Sequence, residues 1–178
     1  LAICITFIDV ILNINFIEIG DRVNYVALAN NIGTYFDRIS SHSLLLVLRD
    51  EPVWSLLFFF LDWIGLSNIA TVRVTIFISS IITFFVMIDK GRIPLYAFIF
   101  LFFFDWFIGN YVNALRMGFA SSIFLFGWFY ANGKKQKLIW AFTPFIHYSF
   151  FIILGILFLE SFFKKRRLSA DISVIITA

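Results

Sequence analysis

Two ionisable residues sit inside apolar runs of this chain. Arg116 opens NALRMGFASSIFLFGWFYANG, and His147 lies within LIWAFTPFIHYSFFIILGILFL. At membrane depth such groups are costly, so they usually face a protein interior or a water-filled cavity. Arg116 stays charged at any ordinary pH and offers a planar fork of donors suited to phosphate. The plainer alternative is an arginine snorkelling from a helix end. His147 lies ten residues after Lys137 and twelve before Leu159, too central in an unbroken helix to snorkel. An imidazole there can act as base, acid or donor to phosphate, or simply hydrogen-bond between helices.

Further polar groups lie upstream. In IGDRVNYVALANNI, Asp21 is an anion, Asn24 a donor and Tyr25 a stacking face, a set that suits sugar rings. The alternative is a solvated loop in which Asp21 caps a helix. In RDEPVW, Glu51 precedes Pro52, which also reads as an ordinary helix start with an acid beside it. Asp62-Trp63 and Asp105-Trp106 lie in apolar runs. Tryptophan favours the membrane interface, so both acids can mark where a helix meets water.

The elements that must position these groups are hydrophobic helices. Apolar residues make up 61% of the chain and aromatics 21%, with 26 phenylalanines against three prolines. Mean hydropathy is +0.94, whereas soluble domains are about half apolar. The expected fold is all-α: a single transmembrane domain over 1–178, with about five to seven hydrophobic helices spanning a membrane. The apolar segments are 1–19, 52–66, 69–88, 94–112, 114–131 and 138–159, with a polar stretch at 20–51 forming an outer loop. Segment 52–66 is short and is read as re-entrant or interfacial. The alternation expected of a transmembrane barrel is missing.

Net charge is +3, and the excess lies in short loops, which indicates topology rather than nucleic-acid binding. DKGR (89–92) and GKKQK (133–137) are two spans apart, so both are assigned to the cytoplasmic side. KKRR (164–167) disagrees, because it then falls outside. Cys4 is alone, so this chain forms no internal disulfide and no cysteine-rich metal site. The chain starts without Met and ends in the apolar DISVIITA, and it is read as a fragment of a longer protein. Residues 1–16 lack the basic start and small-residue cleavage site of a signal peptide.

Unbroken helices fix an expected geometry. Arg116 is ~27 Å of helix from the basic loop and His147 ~15 Å, so their depths differ by roughly 12 Å. The two side chains are then expected not to touch, but to contact one elongated substrate. Pro144 can open the helix locally below His147.

Taken in order, these groups resemble a known family. Gly20-Asp21-x-x-Asn24-Tyr25 is followed by Glu51-Pro52, then Asn113-x-x-Arg116 with Gly118 and Ala120 after it, a Lys-rich turn, and His147-x-Ser149. This resembles the EpsG/Wzy-type bacterial polysaccharide polymerases, over most of residues 15–160. Many members have Gln after the arginine; here it is Met117. The resemblance implies a multi-pass inner-membrane glycosyltransferase that joins oligosaccharide repeat units carried on undecaprenyl diphosphate, at the periplasmic face. It implies Arg116 and His147 as catalytic, and Asp21, Asn24, Tyr25, Glu51, Asn113 and Ser149 as substrate-binding. No cofactor, metal, nucleotide sugar or nucleic acid is expected. The implied partners are the lipid-linked oligosaccharide, membrane lipid, a chain-length regulator and a flippase.

Two other functions fit the same residues. Intramembrane Arg, His and Asp also mark transport pathways, so a flippase or transporter of lipid-linked sugar is the alternative. A purely structural subunit would leave Arg116 and His147 free to mutate.

Overall fold

In the computed structural model every regular element among the described residues is helical; those residues are 1–15, 21–34, 51–92, 94, 97 and 109–177. The chain divides into two compact units, Leu1–Tyr148 and Ser149–Ala178, each described by itself. The first contains α1 (Ala2–Thr6), α2 (Ile8–Ile11), α3 (Arg22–Asn30), α4 (Pro52–Trp63), α5 (Asn68–Asp89), a π-helical turn (Gly109–Asn113), α6 (Leu115–Tyr130), α7 (Gly133–Phe142) and a 3-10 turn (Thr143–Phe145). The second is a single helix, α8 (Phe150–Thr177).

The frame of the first unit is α5 packed on α6, with α1 and α3 also against α5. Ser67 starts α5 by accepting a hydrogen bond from the Ala70 N–H at 3.4 Å, a common N-cap arrangement. Val72, Ile76, Ser79, Ser80, Thr83 and Val86 are buried along it, at the three-to-four-residue spacing of one helix face. Three hydroxyls on this face have partners. Thr75 donates to Thr71 O at 2.9 Å and Ser79 to Ile76 O at 3.0 Å, while Thr83 pairs with the Tyr111 hydroxyl at 2.8 Å. Several buried residues of α6 are small: Gly118, Ala120, Ser122 and Gly127. Small residues let helix backbones approach closely, a common device between helices in lipid.

At 22 residues and a mean hydropathy of 2.1, α5 alone among the described helices is long and apolar enough to cross a membrane. It coincides with the expected segment 69–88, and α6 with 114–131. The other expected segments differ. Segment 1–19 is not one helix: α1 and α2 are separated at Phe7, and the backbone turns at Asn13 with φ 51°. Segment 52–66 is the 12-residue α4, ~18 Å long and shorter than a hydrocarbon core. Segment 138–159 is broken between Thr143 and Ser149. Most of segment 94–112, Asp105 with it, lies outside the described residues, as do 35–50 of the polar stretch.

The α6–α7 hairpin depends on one glycine. A Cβ on Gly127 would lie 2.7 Å from Ile139 Cγ2 and 3.3 Å from Trp140 Cδ1. Gly127→Val is therefore expected to destabilise the protein by about 1–3 kcal/mol through overpacking, read as a lower unfolding temperature in detergent. Gly155→Ala, where a Cβ meets nothing within 4 Å, is the control. Equal stability of Gly127→Val and wild type would mean the hairpin tolerates separation.

Candidate functional site

The site is organised around Glu51, which is 1% exposed. Its Oε2 accepts a hydrogen bond from Arg116 Nη1 at 2.5 Å. Its Oε1 accepts the backbone N–H of Tyr148 at 3.1 Å and lies 2.9 Å from His147 Nδ1. That last contact is an ion pair by distance when the ring is protonated, but the ring is not aligned for a good hydrogen bond. One carboxylate thus gathers three chain regions. The expected separation of Arg116 and His147 by helix depth is overturned, because both reach the same acid.

Local sequence explains each approach. Pro52 occupies the first turn of α4, where a missing N–H costs nothing. Glu51 before it has φ 53° and ψ 63°, a left-handed conformation in a non-glycine residue. Such backbone costs about 1–3 kcal/mol and is concentrated at functional sites. Glu51 and Pro52 do start a helix, as N-cap and first-turn residue, but the Glu51 side chain makes no cap bond to α4 and turns to other partners.

His147 is not in a helix interior, as the sequence suggested, but in the break after Phe145. Pro144 has no N–H to offer the preceding turn, and Thr143 Oγ1 donates to Trp140 O at 2.7 Å. The N–H groups of Ile146 and His147 both reach Thr143 O at 3.0 Å. The next N–H, of Tyr148, leaves the ladder and goes to Glu51.

Arg116 lies in the first turn of α6, directly after the π turn closed by Ala114 N–H to Gly109 O at 2.7 Å. Such turns recur at functional sites. The guanidinium sits 5.8 Å from the centre of the Tyr25 ring. The arginine side chain keeps 40% of its exposure, so donors remain for a ligand. Tyr25 is 3% exposed and meets Trp54 edge-on at 5.5 Å. Its ring is a wall supporting Arg116 rather than an open sugar platform.

Electrostatics follow from this packing. Burial opposes ionisation of Glu51, but the His147 ring, the Arg116 charge and the Tyr148 N–H together hold its carboxyl below the ordinary value. Burial pushes the Tyr25 hydroxyl up, against the pull of Arg116.

The other sequence-derived candidates occupy the surface, the π turn and the start of the second unit. Asp21 and Asn24 are exposed; Asp21 holds the N-cap position of α3 but makes no cap bond, and accepts from Asn24 Nδ2 at 3.5 Å instead. Asn113 is half-buried in the π turn. Ser149 is half-buried and opens the second unit, so it is not inside a helix. Asp62 is exposed beside Trp63, which is 74% exposed.

A second ionic cluster escaped the sequence reading. Asp9 is 3% exposed and Arg22 fully buried. Arg22 Nη1 lies 3.5 Å from Asp9 Oδ1, and Arg73 Nη2 donates to Asp9 Oδ2. Arg22 Nε also donates to Val112 O at 3.5 Å. The signal was present: Asp9 in LAICITFIDV and Arg73 in TVRVTIF meet the same criterion that singled out His147. Arg22 and Tyr25 are about one turn apart on α3, so one helix face touches both clusters.

An apolar groove of about 370 Å³ is lined by Val53, Leu56, Phe60, Phe119, Ile123 and Ile146 among others. Among the described residues no group of three His, Cys, Asp or Glu could hold a metal.

Fold and site define an all-helical protein with a buried carboxylate joining an arginine and a histidine. Comparison with family models, with curated proteins and with solved structures returns no match in any of the three.

Proposed function

We propose that this chain belongs to a multi-pass inner-membrane polysaccharide polymerase of the EpsG/Wzy type, which joins repeat units carried on undecaprenyl diphosphate at the periplasmic face. The observation that carries the proposal is the convergence on Glu51. Three stretches singled out in the sequence, around Glu51, Arg116 and His147, meet at one carboxylate, with Tyr25 against the arginine.

The chemistry follows from these roles. Arg116 pairs with the diphosphate through the donors it does not spend on Glu51. Nδ1 lies against the Glu51 carboxylate, so Nε2 is the ring nitrogen left for the acceptor. His147 then takes the proton of the acceptor hydroxyl as its oxygen bonds to the anomeric carbon. The bond from that carbon to the phosphate oxygen breaks, and the lipid diphosphate leaves with its charge held by Arg116. The apolar groove lined by Val53 and Ile146 suits the first isoprene units of the carrier. Proposed partners are a flippase that supplies the units and a chain-length regulator.

The break at 143–149 also favours a second reading. Discontinuous helices line substrate sites in transporters, so a flippase for the same lipid-linked sugar has a specific observation behind it. Variants separate the two. Arg116→Lys keeps the charge but loses the planar fork, and His147→Ala loses the base. In the polymerase, both leave single repeat units on periplasmic carrier and no long chains, while the protein remains in the membrane. In a flippase, both leave units on the cytoplasmic side. A normal ladder from both variants overturns either reading.

A further inference from the structure

Between α1 and the start of α5 lies a second groove, of about 460 Å³. Its walls are apolar, with Ile3, Phe7, Ile69, Val74 and Phe77 among them, and among the described residues Arg73 is the one charged side chain lining it. Arg73 is held from the inner side by Asp9 and lies over the Phe7 ring at 5.1 Å. Its side chain keeps 26% of its exposure. A guanidinium carries five N–H donors, so an arginine anchored to a carboxylate can still bond a second anion. Ser67, at the N-cap of α5, also lines the groove. Arg73 is six residues further along α5, ~9 Å of helix.

We propose that this groove binds one anionic phospholipid, its phosphate on Arg73 and the upper part of an acyl chain along Phe7, Val74 and Phe77. The proposal shares with the proposed function only the assignment of α5 to the membrane, and it is independent of any polymerase chemistry. An amphiphile is selected over a free anion because apolar side chains make most of the lining. An anionic headgroup is selected over a zwitterionic one because the charged side chain on the wall is a cation. Asp9 holds that cation in place instead of letting it snorkel away from the groove.

The test is native mass spectrometry of the purified full chain from a non-ionic detergent, with dioleoyl phosphatidylglycerol and dioleoyl phosphatidylcholine added in equal amounts. Wild type is expected to retain one phosphatidylglycerol per chain, about tenfold over phosphatidylcholine, the scale of a charge-assisted hydrogen bond. Ala70→Trp fills the groove without touching Asp9 and should abolish retention. Arg73→Gln should bring the two lipids to parity; if that variant does not fold, Ala70→Trp decides. Equal retention of both lipids by wild type overturns the proposal, as does unchanged retention by Ala70→Trp. Displacement of the lipid by millimolar glycerol phosphate would place the specificity in a free anion and overturn the phospholipid assignment. Retention is read without any assay of polymer, so failure of the polymerase reading leaves this result standing.

Discussion

Glu51→Gln is expected to stop polymer formation almost completely while the protein still inserts. The amide keeps the size of the side chain but replaces one acceptor oxygen with a donor. That donor must face either Arg116 Nη1 or the Tyr148 N–H, both of which now bond to the carboxylate. Breaking a buried pair from one side costs about 3–5 kcal/mol; the value here falls at the low end because the Arg116 side chain is 40% exposed and partly screened by water. Loss of positioning alone is worth roughly a hundredfold in rate, so long chains should disappear from gels of extracted polysaccharide. A ladder of normal length from membranes holding normal amounts of the variant would remove Glu51 from the function. Acid stability gives an independent readout. The folded carboxyl lies below its ordinary value of 4.5, so its contribution is fully present above that value and is lost as pH falls through the lowered one. Wild type should lose stability in that acid window, and Glu51→Gln should lose less there.

Asp9→Asn is expected to lower stability by about 3–5 kcal/mol, with little regard to polymer chemistry. Asp9 is the anion shared by Arg22 and Arg73, and the two cations already oppose each other across it. Arg22 is fully buried, so it cannot turn to water when the carboxylate is neutralised. Thermal unfolding in detergent measures the loss. Coupling identifies its cause: Asp9→Asn combined with Arg73→Gln should fall short of the sum of the two single losses. Strict additivity would show that the aspartate acts alone.

The helical class and two helices, α5 and α6, were legible because each is a continuous apolar run with polar ends. The cap at Ser67 and the small residues of α6 belong to the same local grammar. The helix break at His147 was not legible in the same way. Pro144 marks a possible interruption, but nothing near it says that the Tyr148 N–H has an acceptor 97 residues upstream. Depth arguments that count residues along a straight helix fail once the helix stops. Glu51 was legible as a candidate residue but not as the centre, because its left-handed backbone and inward carboxylate depend on partners far along the chain. Asp9 and Arg73 show a different failure. Each was visible as a charge in an apolar run, and only their mutual contact gives them meaning.

The span of chain closed by Glu51 bears on how the protein is made. Its partners lie 65 and 97 residues downstream, which at ~5–20 residues per second is a wait on the order of ten seconds. During that interval the carboxylate has neither cation beside it. Only when the stretch around His147 has been synthesised can the acid be drawn inward, so the site closes late and from the carboxyl-terminal side.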